Sequence, residues 1–176
     1  MDTAMWANVI AGLAFVVSII AAVFSWKSAL QAKLANRISV HMYQKELLDK
    51  FLDVYTALSK KGSKTPHSDV LLFSTHAKAA RLYVSINLAR DIEVFYGLCI
   101  QLEHLRDNVH YALEQVKIIG RQSIGAQSGA RATKEQKSTA DADVVDSKRR
   151  LTECLDLARK LGEKIDKALV DEIKIV

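Results

Sequence analysis

The chain is poor in residues that interrupt helices, with one proline, Pro66, and seven glycines in 176 residues. All-β architectures need turn residues at short, regular intervals, so this scarcity argues against a sandwich or barrel. Strand-like alternation is nowhere sustained, and the richness in Leu, Ala, Lys, Glu and Gln favours long helices. There are only two cysteines, Cys99 and Cys154, and they have no CxxC spacing. A disulfide framework and a zinc ribbon are therefore excluded, and the two read as buried free thiols of a reducing compartment. The sequence also has no GxGxxG, no GxxxxGK followed by Ser or Thr, and no GxSxG. It thus lacks the loops that cradle nucleotide phosphates and the nucleophile elbow of the hydrolases. No cofactor is implied.

The most informative absence is of charge. From Ala4 to Trp26, AMWANVIAGLAFVVSIIAAVFSW, no residue is charged and none is proline. At about 1.5 Å per residue, the distance from Trp6 to Trp26 is roughly 30 Å, the thickness of the hydrocarbon core of a bilayer. Tryptophan favours the headgroup level, so Trp6, Trp26 and the adjoining Lys27 read as membrane anchors. A cleaved signal would need a basic start and a shorter apolar core, and an interfacial helix would need a charged face. The segment therefore reads as one membrane-spanning helix. Only Asp2 is charged before it, whereas Lys27, Lys33, Arg37, Lys45 and Lys50 follow. That bias places the N-terminus outside and the remainder in the cytoplasm, as expected for a bacterial inner-membrane protein.

Small residues within the span fall in register. Ala7, Ala11, Ala14, Ser18, Ala21 and Ser25 follow a 4-3-4-3-4 spacing, and Ser28, Ala32 and Ala35 continue it. Such a seam lets helix backbones approach closely in lipid, where hiding apolar surface gains little. A chain with one span must find its partner in another chain, so the seam predicts a homo-oligomer. Asn8 is the one strongly polar side chain in the outer half. It suits a contact with a neighbouring copy, a water-filled lumen, or a wetted position near the interface.

Beyond the span about 150 residues remain, enough for one helical domain with a core. The expected organisation is all-α: a transmembrane helix over 1–27, a helical stalk over 28–60, and an antiparallel cytosolic bundle over 61–176. No breaker interrupts Lys27 to Ser59, although helix formers are sparse at Asn36 to Ser39. Gly62 and Pro66 end that helix among basic residues. Ser68 or Asp69 is the expected cap of a second helix reaching Tyr83, and Ser85 or Asn87 follows a break. A third helix, about Leu88 to Ile119, carries the seam Leu98, Leu102, Leu105, Val109, Ala112 and Val116. A flexible loop is expected near 120–139, then a last helix from about Asp141 to Ile173 with Leu151, Cys154 or Leu155, Ala158, Leu161, Ile165 and Leu169 inside.

Candidate chemistry is sparse. Glu103, Asp107, His110 and Glu114 repeat at 4-3-4 on the third helix, but they lie opposite the leucine seam, where a solvated face belongs, so no metal site is assigned. The net charge of +5 suits anionic lipid headgroups. No aromatic stacking stripe accompanies the basic residues, which argues against a nucleic-acid partner.

Arg106-Asp107-Asn108-Val109-His110 resembles the arginine–polar–spacer–histidine motif of HEPN-type helical ribonucleases. Here three residues separate Arg106 from His110, one fewer than that motif requires. With its uncharged N-terminal span, basic junction and helical bundle, the whole chain resembles in layout the small accessory membrane proteins of RNA-targeting type VI CRISPR systems. The resemblance implies a non-enzymatic homo-oligomer that forms a pore or perturbs the membrane in antiphage defence. Two alternatives differ in class: a membrane-tethered adaptor recruiting a protein partner, and a HEPN-like ribonuclease using Arg106 and His110.

Overall fold

The computed structural model describes residues 3–124 and 134–174. Among these residues every regular element is helical: α1 (Thr3–Lys61), α2 (His67–Ala79), α3 (Ile86–Ile124) and α4 (Lys134–Lys174), with single 3₁₀ turns at Gly62–Lys64 and Ala80–Leu82. The chain is all-α, as its composition predicts. Two compact units are distinguished, Met1–Tyr43 and Gln44–Val176.

α1 is continuous through Asn36 to Ser39. It stops where expected: Gly62 takes φ 58°, a left-handed conformation that costs a residue without Cβ little. The Thr65 hydroxyl donates to the Gly62 carbonyl at 2.7 Å and closes the corner. The cap of α2 differs from expectation. Pro66 occupies that position with extended backbone and no side-chain bond, and Ser68 and Asp69 lie inside the first turn. Proline already has the φ a helix start needs and lacks only an N–H that would go unpaired there. α3 begins two residues earlier than expected. Its first helical bond runs from the Ala89 N–H to the Ser85 carbonyl, at 2.9 Å.

Within Gln44–Val176 the helices alternate in direction. Gln44, where α1 enters this unit, donates from Nε2 to the Tyr83 carbonyl just beyond α2, at 2.7 Å. The Ser85 N–H at the start of α3 meets the Glu172 carboxylate near the end of α4, at 3.1 Å. Aromatic rings fill the centre. Phe51, Phe73 and Phe95 are all fully buried, with Phe51 and Phe95 ring centres 5.2 Å apart. Around them pack Leu47, Val54, Leu58, Ile92, Ile165 and Leu169. The buried row of α3 runs through Leu88, Ile92, Phe95, Cys99 and Leu102; Leu98, expected in the seam, is only half-buried.

The last two helices are longer than predicted. Helical bonding continues past Ile119 to Ile124 and resumes at Lys134, so both flanks of the expected 120–139 loop are helix. Ile119 of α3 and Ala140 of α4 border the same groove, and packing of the two helices offsets the weak helix preference of the glycine- and serine-containing flank. Residues 125–133 of that expected loop lie outside the described residues.

Candidate functional site

Among the described residues one helix is long and apolar enough to cross a membrane, and none of its apolar window is buried. Trp6, Ile10, Phe15, Val17, Phe24 and Trp26 are all exposed, Trp26 by 70%. Leaving such side chains in water costs roughly 1.5–3 kcal/mol each relative to full burial. Apolar residues point from every side of this stretch. A helix lying against a soluble core would need only one such face.

The small residues Ala11, Ala14, Ser18, Ala21, Ser25, Ser28, Ala32 and Ala35 are exposed along this helix, as are Asn8 and Lys27. The side chain of Ala7, the first seam position, lies outside the described residues. The Ser18 hydroxyl donates to the Ala14 carbonyl at 2.8 Å. That bond satisfies its only donor within the helix, so the seam requires no outside hydrogen-bond partner at this position.

In the packed unit, the charged groups of α3 are engaged locally. Glu103 pairs with His67 at the start of α2, and Arg106 lies 3.7 Å from Glu103 and 3.6 Å from Asp107. His67, Glu103 and Arg106 edge a cavity of about 20 Å³ shared with Gly62, Thr65 and Cys99, which is room for about one water. His110, one turn beyond Arg106, is exposed, and no hydrogen bond joins the two among the described residues. Glu114 pairs with Lys117 at 2.6 Å, and that lysine holds its carboxyl below the ordinary carboxylate range. Glu103, Asp107, His110 and Glu114 are not brought together, and no group of three or more metal-ligating side chains occurs among the described residues. Cys99 and Cys154 are free and buried. Burial, with the nearby Cys154, pushes the Cys99 thiol up to about 12, leaving it protonated and inert at neutral pH.

The sequence reading missed one feature. The aromatic-centred core reaches no further along α3 than Leu105 and no further back on α4 than Leu151. Beyond those points α3 and α4 continue as a two-helix arm that buries Ala112, Ala140 and Val144. A groove runs along one side of the arm in two adjoining stretches, of about 240 Å³ and about 620 Å³. Both stretches include Gln115, Ala140 and Asp143. Ala112 and Ala140 both line the groove, and their short side chains leave its floor low.

No protein-family model, no curated protein and no solved structure matches the chain.

Proposed function

We propose that this chain is a single-pass membrane protein that self-associates along the small-residue side of its span and acts as a pore or membrane-perturbing assembly. The observation that carries the reading is the apolar window of α1, none of which is buried. It has no one-sided apolar face to lay on a protein core, and lipid is the medium that suits apolar residues on every side. Self-association is supported by the row from Ala11 to Ala35 and by the internally bonded Ser18. Close backbone packing is the main source of helix affinity in a bilayer. The layout resemblance to type VI CRISPR accessory proteins supports a role in antiphage defence, with the bundle in the cytoplasm.

The test replaces Ala14 and Ala21 together by leucine, with Val17→Leu as a control off the seam. The wild type and V17L are expected to give a particle of several chains in detergent and to release dye from vesicles. The double variant should be monomeric and leak-free. An unchanged particle mass in the double variant refutes the seam, and an oligomer that releases no dye refutes the membrane-perturbing role.

A further inference from the structure

The two opposite faces of the α3–α4 arm are complementary in charge, and we infer that the arm of one copy docks head-to-tail on the arm of the next, acidic groove against basic face. The inference rests on the proposed self-association and names a second contact for it, within the packed unit. The groove is lined by Asn108, Tyr111, Ala112, Gln115 and Ile119 from α3, and on α4 by Glu135, Asp143 and neutral neighbours. In a chain of net charge +5, this groove presents two carboxylates and no cation. Neither Glu135 nor Asp143 forms an ion pair among the described residues. Tyr111, at the rim, is 67% exposed.

Helix periodicity places a different set on the far side of the arm. Arg106, His110, Leu113, Lys117 and Arg121 recur at 4-3-4-4 along α3, half a turn from the groove row. On α4, Val145 lies two positions from both Asp143 and Ser147 and so points away from the groove, with Lys148 and Lys134 on the same side. Val145 is 67% exposed and Leu113 is 37% exposed. Lys134 and Lys148 have no ion pair among the described residues. Glu103 and Asp107 beside Arg106, Glu114 on Lys117 and Asp141 offset part of this charge, and the net positive charge of the face is carried by Arg121, Lys134 and Lys148. Apolar residues flanked by cations thus stand opposite an open groove flanked by carboxylates.

Charge also selects the mode of docking. Groove against groove would place Glu135 and Asp143 of two copies together, and basic face against basic face would do the same for the lysines. Only the unlike faces attract, which makes the contact heterologous.

The test is disulfide trapping of the full chain in detergent micelles with copper–phenanthroline as oxidant. The double variant Gln115→Cys, Val145→Cys has one thiol on each face and should give a ladder of linked multimers. Each single variant, and the wild type with its two buried thiols, should give none. Adding Glu135→Lys and Asp143→Lys to the double variant should abolish the ladder. Linked dimers from a single variant would show like faces meeting and overturn the inference. An oligomeric particle whose double variant does not link overturns the arm contact alone and leaves the span association standing. A particle of one chain overturns both.

Discussion

Gly162 stands against the half-buried ring of Tyr55, which is stacked against the core. A Cβ at this position would lie 2.5 Å from Cδ2 of Tyr55 and 3.2 Å from Cε2 of Phe95. Tyr55 is itself stacked on Phe51, with centroids 5.6 Å apart, and Phe51 is wedged between Phe73 and Phe95. Overpacking so tight a place costs about 1–3 kcal/mol, and the better helix propensity of alanine returns at most about 1 kcal/mol. Gly162→Ala should therefore lower stability by about 1–2 kcal/mol. Gly97 is the internal comparison, since nothing lies within 4 Å of its Cβ position. Gly97→Ala should raise stability by about 0.5–1 kcal/mol. Denaturant unfolding of both variants in micelles checks the pair, and equal midpoints would remove the close contact at Gly162. None of this was legible in the sequence, where Gly162 sits inside a good helical pattern and reads as a mild local weakness. Close approach is a property of the partner, Tyr55, more than a hundred positions away. The burial of Cys99 was legible because Leu98 and Ile100 adjoin it, and that of Cys154 because it falls at helical spacing with Leu151, Ala158 and Leu161.

At the scale of the helix, type and order followed from periodicity, whereas the ends depended on distant groups. The expected cap of α2 failed because Pro66 starts the helix by backbone shape alone. The start of α3 is held from the far end of the chain, where the Glu172 carboxylate accepts the Ser85 N–H. No local pattern around Ser85 announces that partner. In chemical terms the carboxylate does the work of a capping-box glutamate, supplied by α4 instead of the helix it caps. Glu172→Ala should cost about 1 kcal/mol, and Glu172→Gln, which keeps the acceptor oxygen, should cost less. The loss should be local: amide exchange ought to speed up at the start of α3 more than around Phe95. Uniform acceleration would mean that Glu172 acts through the core instead. The arm escaped notice for a related reason. The seam Val109, Ala112 and Val116 was visible, but only the packed structure distinguishes a stretch where four helices meet from one where two continue alone.

For the whole molecule, the decisive feature is how charge is distributed along the chain. Of 25 basic and 20 acidic residues, only Asp2 precedes Lys27. The uncharged stretch is long and apolar enough to cross a membrane, and under the proposed single span it sits in lipid while the charge-rich remainder meets water. Which side of a membrane that remainder occupies depends on Lys27, Lys33 and Arg37, since basic residues close to a span resist translocation more than acidic ones do. In intact cells, Asp2→Cys should react with a membrane-impermeant maleimide, while Ser138→Cys on exposed α4 should react only after permeabilisation. The native thiols give a quiet background, because both are buried and burial keeps Cys99 protonated far above neutral pH. Changing Lys27, Lys33 and Arg37 to glutamine and Thr3 and Ala4 to lysine should shift the labelling toward the opposite pattern. The wild-type result carries the greater weight. Labelling of Ser138→Cys from outside would reverse the orientation, and recovery of the untreated chain in the soluble fraction would show that α1 is not in lipid. In that event the exposed residues from Trp6 to Trp26 would need a protein partner to cover them on every side.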